Sequence, residues 1–336
     1  MIKRFKADGN NMVFNSENGD MMRWGNTYDE DPSYSPLGPE IADIEITSIC
    51  EGPEGVPCSF CYKGNTRKGS NMTLDTFKII FEKIPKTVTQ IAFGVDATGT
   101  SNPEMFKIMN YCKDNNVVPN ITIANISPIM AYKLANTCGA VAVSRYDNKD
   151  LCYDSVRALC DMGLEQVNIH ALVSEETEAM IVETINDYHS DIRLSNLKAI
   201  VFLSLKQKSR GEKYNRLSQE KFNKIVKLAL EKNVPIGFDS CSAPKFAKAI
   251  DYNEKIMPMV ESCESTCFSM YINKDGEYFP CSFTEKDRWP NGIDIKKDDF
   301  DFMKDIWYSE RTIGFRKKLL SSQDKNGMRH CPLYNI

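Results

Sequence analysis

The chain has 336 residues, enough for one large domain or two modest ones, and a net charge of −4. That charge, with no polybasic tail, gives nucleic-acid binding by bulk electrostatics no support. No apolar run approaches the ~18 residues of a membrane span, and the start, Met1-Ile-Lys-Arg-Phe-Lys, lacks the apolar core of a signal peptide. Twelve cysteines without a secretory signal argue for metal or redox use in a reducing, cytoplasmic compartment rather than for a disulfide framework.

Residues 1–40 read as a hairpin and lead-in, with Met12-Val-Phe and Met21-Met-Arg-Trp24 flanking a turn at Glu17-Asn-Gly19. Ile44, Ile46 and Ile49 mark a strand over 43–48 that delivers Cys50. A loop follows, Cys50-Glu-Gly-Pro-Glu-Gly-Val-Pro-Cys58-Ser-Phe-Cys61-Tyr62, whose glycines and prolines let it bulge and return. Strands and helices then alternate. The pattern predicts a helix over 73–83, a strand over 89–95, a helix over 103–113 and a strand over 120–124. Ser127-Pro128 opens the next helix, since proline suits the first helical position. A strand over 140–144, a helix over 150–162 and a strand over 166–173 follow. Ser174-Glu-Glu-Thr opens a further helix, before a strand over 198–205, a helix over 218–232 and a last strand over 235–238. Such repetition predicts an α/β fold with a parallel sheet and right-handed crossovers. Its chemistry is expected at the C-terminal ends of the strands.

One strand marks the lumen. In Val167-Asn-Ile-His-Ala-Leu-Val173, Asn168, His170 and Leu172 share a face, whereas a strand in a packed barrel is apolar on both faces. A lumen that holds a ligand explains two polar residues there. For His170 the choice stays open between ligand contact and a hydrogen-bonded core residue.

Three thiolates, Cys50, Cys58 and Cys61, can hold three irons of a [4Fe–4S] cube and leave the fourth open to a small molecule. This loop resembles that of the radical SAM superfamily, in which the open iron chelates S-adenosylmethionine. The family spacing is C-x3-C-x2-C with an aromatic before the third cysteine. Phe60 stands in that position and Tyr62 follows; the first gap is x7. The resemblance implies a partial (β/α)6 barrel over 41–240. It also implies that Gly94 and Asp96, where the family carries Gly-Gly-Glu, hold the methionine amino group. Ser144, Arg145 and Asn168 would contact the ribose and methionine carboxylate. The alternatives are a simple βα turn at residues 94–99 and a surface ion pair for Arg145.

A second cysteine group lies near the C-terminus. Asn273-Lys-Asp-Gly276 is a hairpin turn that returns Cys281 beside Cys263 and Cys267. A cysteine, twelve residues, a glycine, four residues and a second cysteine (Cys263, Gly276, Cys281) resemble the SPASM/Twitch extension of radical SAM enzymes, here over 241–336. The resemblance implies one auxiliary [4Fe–4S] cluster on Cys263, Cys267, Cys281 and Cys331, with zinc on the same thiolates as the competing reading. Cys241 is open between donating a hydrogen atom, replacing Cys331 as a ligand, and burial. Asp239 is open between a general base and a helix cap. The basic loop 206–213 is either solvated or meets an anionic substrate. Cys112, Cys138, Cys152 and Cys160 read as small buried hydrophobes.

The resemblance implies an enzyme that cleaves S-adenosylmethionine with an electron from a donor such as flavodoxin or ferredoxin. Oxidative modification or cross-linking of a peptide or protein is expected. The runner-up is dehydrogenation or epimerisation of a small molecule such as an aminosugar, because only about 40 residues precede the barrel. A zinc-stabilised, non-catalytic binding protein is the competitor from another class.

Overall fold

Hydroxyl caps fix where the helices of this chain begin. In the computed structural model, which describes residues 1–285 and 288–334, Thr73, Ser127, Ser218 and Ser309 each accept a hydrogen bond from the amide three residues on. Seven parallel strands lie side by side in chain order: β4 (Ile41–Glu45), β5 (Gln90–Gly94), β6 (Val118–Ile123), β7 (Ala140–Ser144), β8 (Val167–Val173), β9 (Ala199–Ser204) and β10 (Ile236–Phe238). The crossovers carry α1 (Leu74–Lys83), α2 (Met105–Asp114), α3 (Pro128–Thr137), α4 (Lys149–Asp161), α5 (Glu178–Asp187) and α6 (Gln219–Glu231). These are six β/α units closed by one further strand. The helices cover one sheet face, where Ile44, Ile91, Val141, Ile169, Ile200 and Phe202 meet Phe77, Ile108, Leu134, Val156 and Phe222. Each such side chain stabilises the fold by roughly 1.5–3 kcal/mol. The other face lines the lumen, as the alternation of β8 predicts: Val167, Ile169, Ala171 and Val173 are buried, and Asn168, His170 and Leu172 are only partly so.

Two elements depart from expectation. The N-terminal hairpin of β2 (Asn10–Asn15) and β3 (Met21–Trp24) has a third strand, β1 (Ile2–Ala7), paired antiparallel to β2. Lys3, Arg4 and Lys6 disguise β1 as a polar lead-in. The helix expected to open at Ser174 starts at Glu178, because Ser174 and Thr177 close a separate turn, with the Ser174 amide donating to Thr177 Oγ1 at 3.0 Å.

Beyond the barrel come α7 (Ala243–Ala249), the hairpin β11 (Ser269–Ile272) and β12 (Glu277–Phe279), then β13 (Ile293–Asp294) and α8 (Glu310–Ser321). Asn273 organises the hairpin turn: its Oδ1 accepts from the amides of Asp275 and Glu277, both at 3.0 Å. β11 pairs in parallel with β4, setting Tyr271 opposite Asp43, so the hairpin and β13 extend the barrel sheet to ten strands. This pairing brings the C-terminal cysteines beside the barrel mouth.

Candidate active site

A cavity of about 590 Å³ opens at the C-terminal ends of the parallel strands. Cys50, Cys58 and Cys61 line it together, and all twelve cysteines of the chain are free thiols. The long first gap folds into a compact loop. The Cys50 amide donates to Thr66 O at 3.0 Å, and the Gly52 amide donates to the Cys50 sulfur at 3.4 Å. Gly52 has φ +77°, and a Cβ there would lie 1.8 Å from Val56 O, so only glycine closes this loop. Burial pushes the Cys58 thiol up from its ordinary range; a hydrogen bond from Tyr146 opposes this, and Cys61 and Cys50 add to it. Three thiols that feel one another across a shared cavity suit a cube, in which each iron takes its own thiolate. Among the described residues no set of three or more His, Cys, Asp or Glu side chains is gathered as the ligands of one metal ion. Phe60 stacks on Tyr146, with centroids 5.4 Å apart, and meets Tyr214 edge-on at 5.7 Å. Tyr62 is half-buried against Phe283, with ring centroids 4.3 Å apart, and donates to Ser282 Oγ at 3.2 Å.

Most of the residues that sequence assigns to S-adenosylmethionine reach the same cavity. Gly94, Asp96, Ser144 and Arg145 line it, whereas Asn168 shares the lumen face of β8 without lining it. The Asp96 carboxylate is engaged by its own turn, accepting from the amides of Thr98, Thr100 and Ser101 at 3.0–3.2 Å and from Thr98 Oγ1 at 2.7 Å. The simple-turn reading thus describes Asp96 in this state. Arg145 is 2% exposed, yet its ion pair reaches the exposed Glu183, so the surface-pair reading holds in part. Its Nη2 donates to Glu183 at 2.6 Å, while Nε and Nη1 are buried without a hydrogen-bond partner. Such orphaned cationic donors are expensive unless an anion meets them.

His170 lines the lumen too, and burial lowers its pKa to about 4, against a weaker opposing pull from Asp239. It is therefore neutral near pH 7. Asp239 is not a free base. It forms a buried ion pair with Lys206, and its Oδ1 accepts from the amides of Ser242 at 2.9 Å and Ser204 at 3.3 Å, steadying the entry to α7.

The sequence missed the acidic wall of the cavity. Asp43 and Glu45 line it from β4. Glu45 is held by Lys63 at 3.3 Å and Tyr271 at 3.2 Å. Asp43 reaches water in the lumen but is enclosed by protein, and burial, reinforced by Glu264, raises its pKa to about 7. The signal was available: β4 shows the same polar alternation that reveals the lumen face of β8.

The C-terminal thiols sort differently from the sequence-based expectation. Cys241, Cys263, Cys281 and Cys331 act electrostatically on one another. Backbone amides donate to three of them: Ser265 to Cys263, Phe283 and Thr284 to Cys281, and Tyr334 to Cys331 at 3.4 Å. Cys267 is 0% exposed and packs in a separate apolar cluster with Phe268 and Leu319. Burial raises its thiol to about 11, and its charged neighbours are Arg329, Arg316, Glu264 and Arg23 rather than other thiols. Cys263 borders both groups.

The basic loop is solvated only in part: Ser209, Glu212 and Lys213 are exposed, whereas two of its cations are tied to backbone carbonyls. Arg210 donates to Cys58 O at 2.8 Å and Asn65 O at 3.1 Å, and Lys208 donates to Phe283 O at 2.9 Å and Glu285 O at 2.7 Å.

Solved structures with this architecture exist. SuiB from Streptococcus suis superposes with a TM-score of 0.65 at 12% identity over 100% of this chain and 99% of SuiB. SuiB bound to its precursor peptide SuiA gives 0.65 and 12% over 93% of this chain and 88% of SuiB. SuiB bound to S-adenosylmethionine gives 0.63 and 13% over 89% and 78%. No protein-family model and no curated protein matches the sequence. At such identity the likeness speaks for the fold. The chain has the radical SAM fold, a partial (β/α)6 barrel extended at its β4 edge by a C-terminal hairpin.

Proposed function

We propose that this protein is a radical SAM enzyme acting on a peptide or protein by oxidative modification or cross-linking. The observation that carries the reading is one cavity at the strand C-termini, lined at once by the three loop cysteines, Gly94 and the part-orphaned Arg145. When bound, the cube with its open iron supplies the electron that splits S-adenosylmethionine into methionine and a 5′-deoxyadenosyl radical, which removes a hydrogen atom from a substrate carbon. Cys50, Cys58 and Cys61 would hold the cube. The Nε and Nη1 of Arg145 would meet the methionine carboxylate, and Phe60 and Tyr146 would wall the cube from water. An external donor such as flavodoxin or ferredoxin supplies the electron. The likeness to SuiB in complex with SuiA, along most of both chains, supports a peptide substrate. The size of the cavity, about 590 Å³ in total, favours as a second reading a small substrate such as an aminosugar beside S-adenosylmethionine.

Residues 241–336 would form the auxiliary-cluster unit. We infer Cys241, Cys263, Cys281 and Cys331 as its ligands, with Cys267 structural. Four protein thiolates leave no open iron, so this cluster carries electrons and does not bind substrate. Anaerobically reconstituted protein should hold about eight irons per chain, two cubes. The double variant Cys58→Ala with Cys61→Ala should hold about four and form no 5′-deoxyadenosine from S-adenosylmethionine and dithionite. Deoxyadenosine formation surviving in that variant would sink the reading, and stoichiometric zinc in anaerobically purified protein would replace the auxiliary cube.

A further inference from the structure

Lys206 is the one basic residue of its loop that turns inward. It is 6% exposed and lines the cavity from the end of β9. Two contacts tie it to the two segments that carry auxiliary thiols. Its ammonium pairs with Asp239, two residues before Cys241. It also lies 4.7 Å from the ring centroid of Phe283, two residues after Cys281. Phe283 in turn packs on Tyr62, next to Cys61 of the first site. Lys206 thus stands between the substrate cavity and the auxiliary thiols. Lys206 is buried and Asp239 is partly exposed, and the two act on Cys241 with opposite sign. On Cys281 the action of Lys206 is felt as well.

We propose that Lys206 is a positioning residue for electron transfer: its buried charge, oriented by Asp239, stabilises the reduced auxiliary cluster and makes that cluster the electron acceptor of the active site. Reduction adds one negative charge to a cube already held by four thiolates. A nearby cation in a poorly screened setting favours the added electron: one unit charge roughly 12 Å away at an effective dielectric of about 20 is worth about tenfold in the ratio of reduced to oxidised cluster. The inference rests on the auxiliary cluster proposed above. It does not depend on the substrate.

The test uses the full chain with both clusters reconstituted and a redox titration with dithionite, followed by electron paramagnetic resonance. Added S-adenosylmethionine marks the signal of the first cluster, because only that cluster binds it. In Lys206→Met the reduced-to-oxidised ratio of the auxiliary cluster at the wild-type midpoint should fall about tenfold, a shift of about 59 mV to more negative potential for one electron. In Asp239→Asn, which keeps the acceptor oxygen for the Ser204 and Ser242 amides, Lys206 loses its counter-charge and the midpoint should move positive. Opposite shifts are a signature that a merely structural pair would not give. Where Lys206→Met fails to hold its irons, Asp239→Asn decides alone. Two cubes with an auxiliary midpoint that stays fixed, or that moves the same way in both variants, overturn the inference and leave the proposed function standing. A protein that holds a single cube overturns the inference together with the auxiliary-cluster reading on which it rests.

Discussion

Replacing Cys267 and Cys241 separately by alanine tests the reassigned ligand set most directly, because spacing and structure predict opposite results. Spacing makes Cys267 a ligand beside Cys263; the structure makes it a core residue, 0% exposed against Phe268 and Leu319. Cys267→Ala then removes one buried sulfur atom, which costs about 1 kcal/mol by the usual scale for small core deletions. In a chain of this size that lowers the melting temperature by a few degrees at most. The iron content should remain at about eight per chain, as two complete cubes require. Cys241→Ala should lower it and change the auxiliary spectrum, because one iron of that cube loses its protein thiolate. The destabilisation should also be larger, because metal binding at such a site is folding free energy. Iron, sulfide and thermal unfolding measured on both variants after identical anaerobic reconstitution give the answer. Loss of four irons in Cys267→Ala, with eight retained in Cys241→Ala, would refute the assignment. The same pair decides the hydrogen-donor role: a sulfur bound to iron carries no S–H, so a ligating Cys241 cannot quench a substrate radical.

Other expectations follow from the cavity. Arg145→Ala should weaken S-adenosylmethionine binding at least tenfold, about 1.4 kcal/mol, with iron content unchanged; equal affinity by equilibrium binding would remove Arg145 from the site. Asp43 gives a pH dependence. Its carboxyl titrates near 7 in the folded chain against an ordinary 3.8, through burial first and Glu264 second. The folded state therefore keeps a proton that the unfolded state releases. The stability contributed by protonated Asp43 is complete below about 3.8 and is lost as pH rises to about 7. Asp43→Asn, a neutral isostere, should gain on the wild type in urea midpoint between pH 5 and pH 8. Water in the lumen screens the effect, so the sign is the test, and a gap that closes towards pH 8 would contradict it.

The sequence reveals the barrel because each unit carries local signals that agree with its tertiary role. Thr73, Ser127 and Ser218 are caps in fact as in pattern, and the polar alternation of β8 points into the lumen. What stays hidden depends on how distant segments meet. The pairing of β11 with β4 sets Tyr271 opposite Asp43 across more than two hundred residues, and no local propensity encodes that register. The C-x3-C spacing at Cys263 and Cys267 leaves out a local feature. The intervening turn holds Thr266 at φ 62°, a conformation that β-branched residues rarely adopt, and Cys267 leaves it towards Phe268 and Leu319. Spacing counts residues; it does not register a reversal of the backbone between them.

The basic loop shows how the two cysteine groups depend on one frame. A run of lysines and arginines reads as solvated because charged side chains usually stay in water. Here three of them are used as donors. Arg210 satisfies carbonyls at Cys58 and Asn65, on either side of the loop that ends in Cys61. Lys208 satisfies carbonyls at Phe283 and Glu285, just beyond Cys281. Lys206 pairs with Asp239, just before Cys241. Irregular cysteine loops leave carbonyls that no strand or helix partner meets, and buried carbonyls need donors. A segment at the end of β9, reaching both cysteine sites with three long cationic side chains, meets that need at both ends. One loop at the end of β9 thus ties segments of both cysteine groups to the same strand.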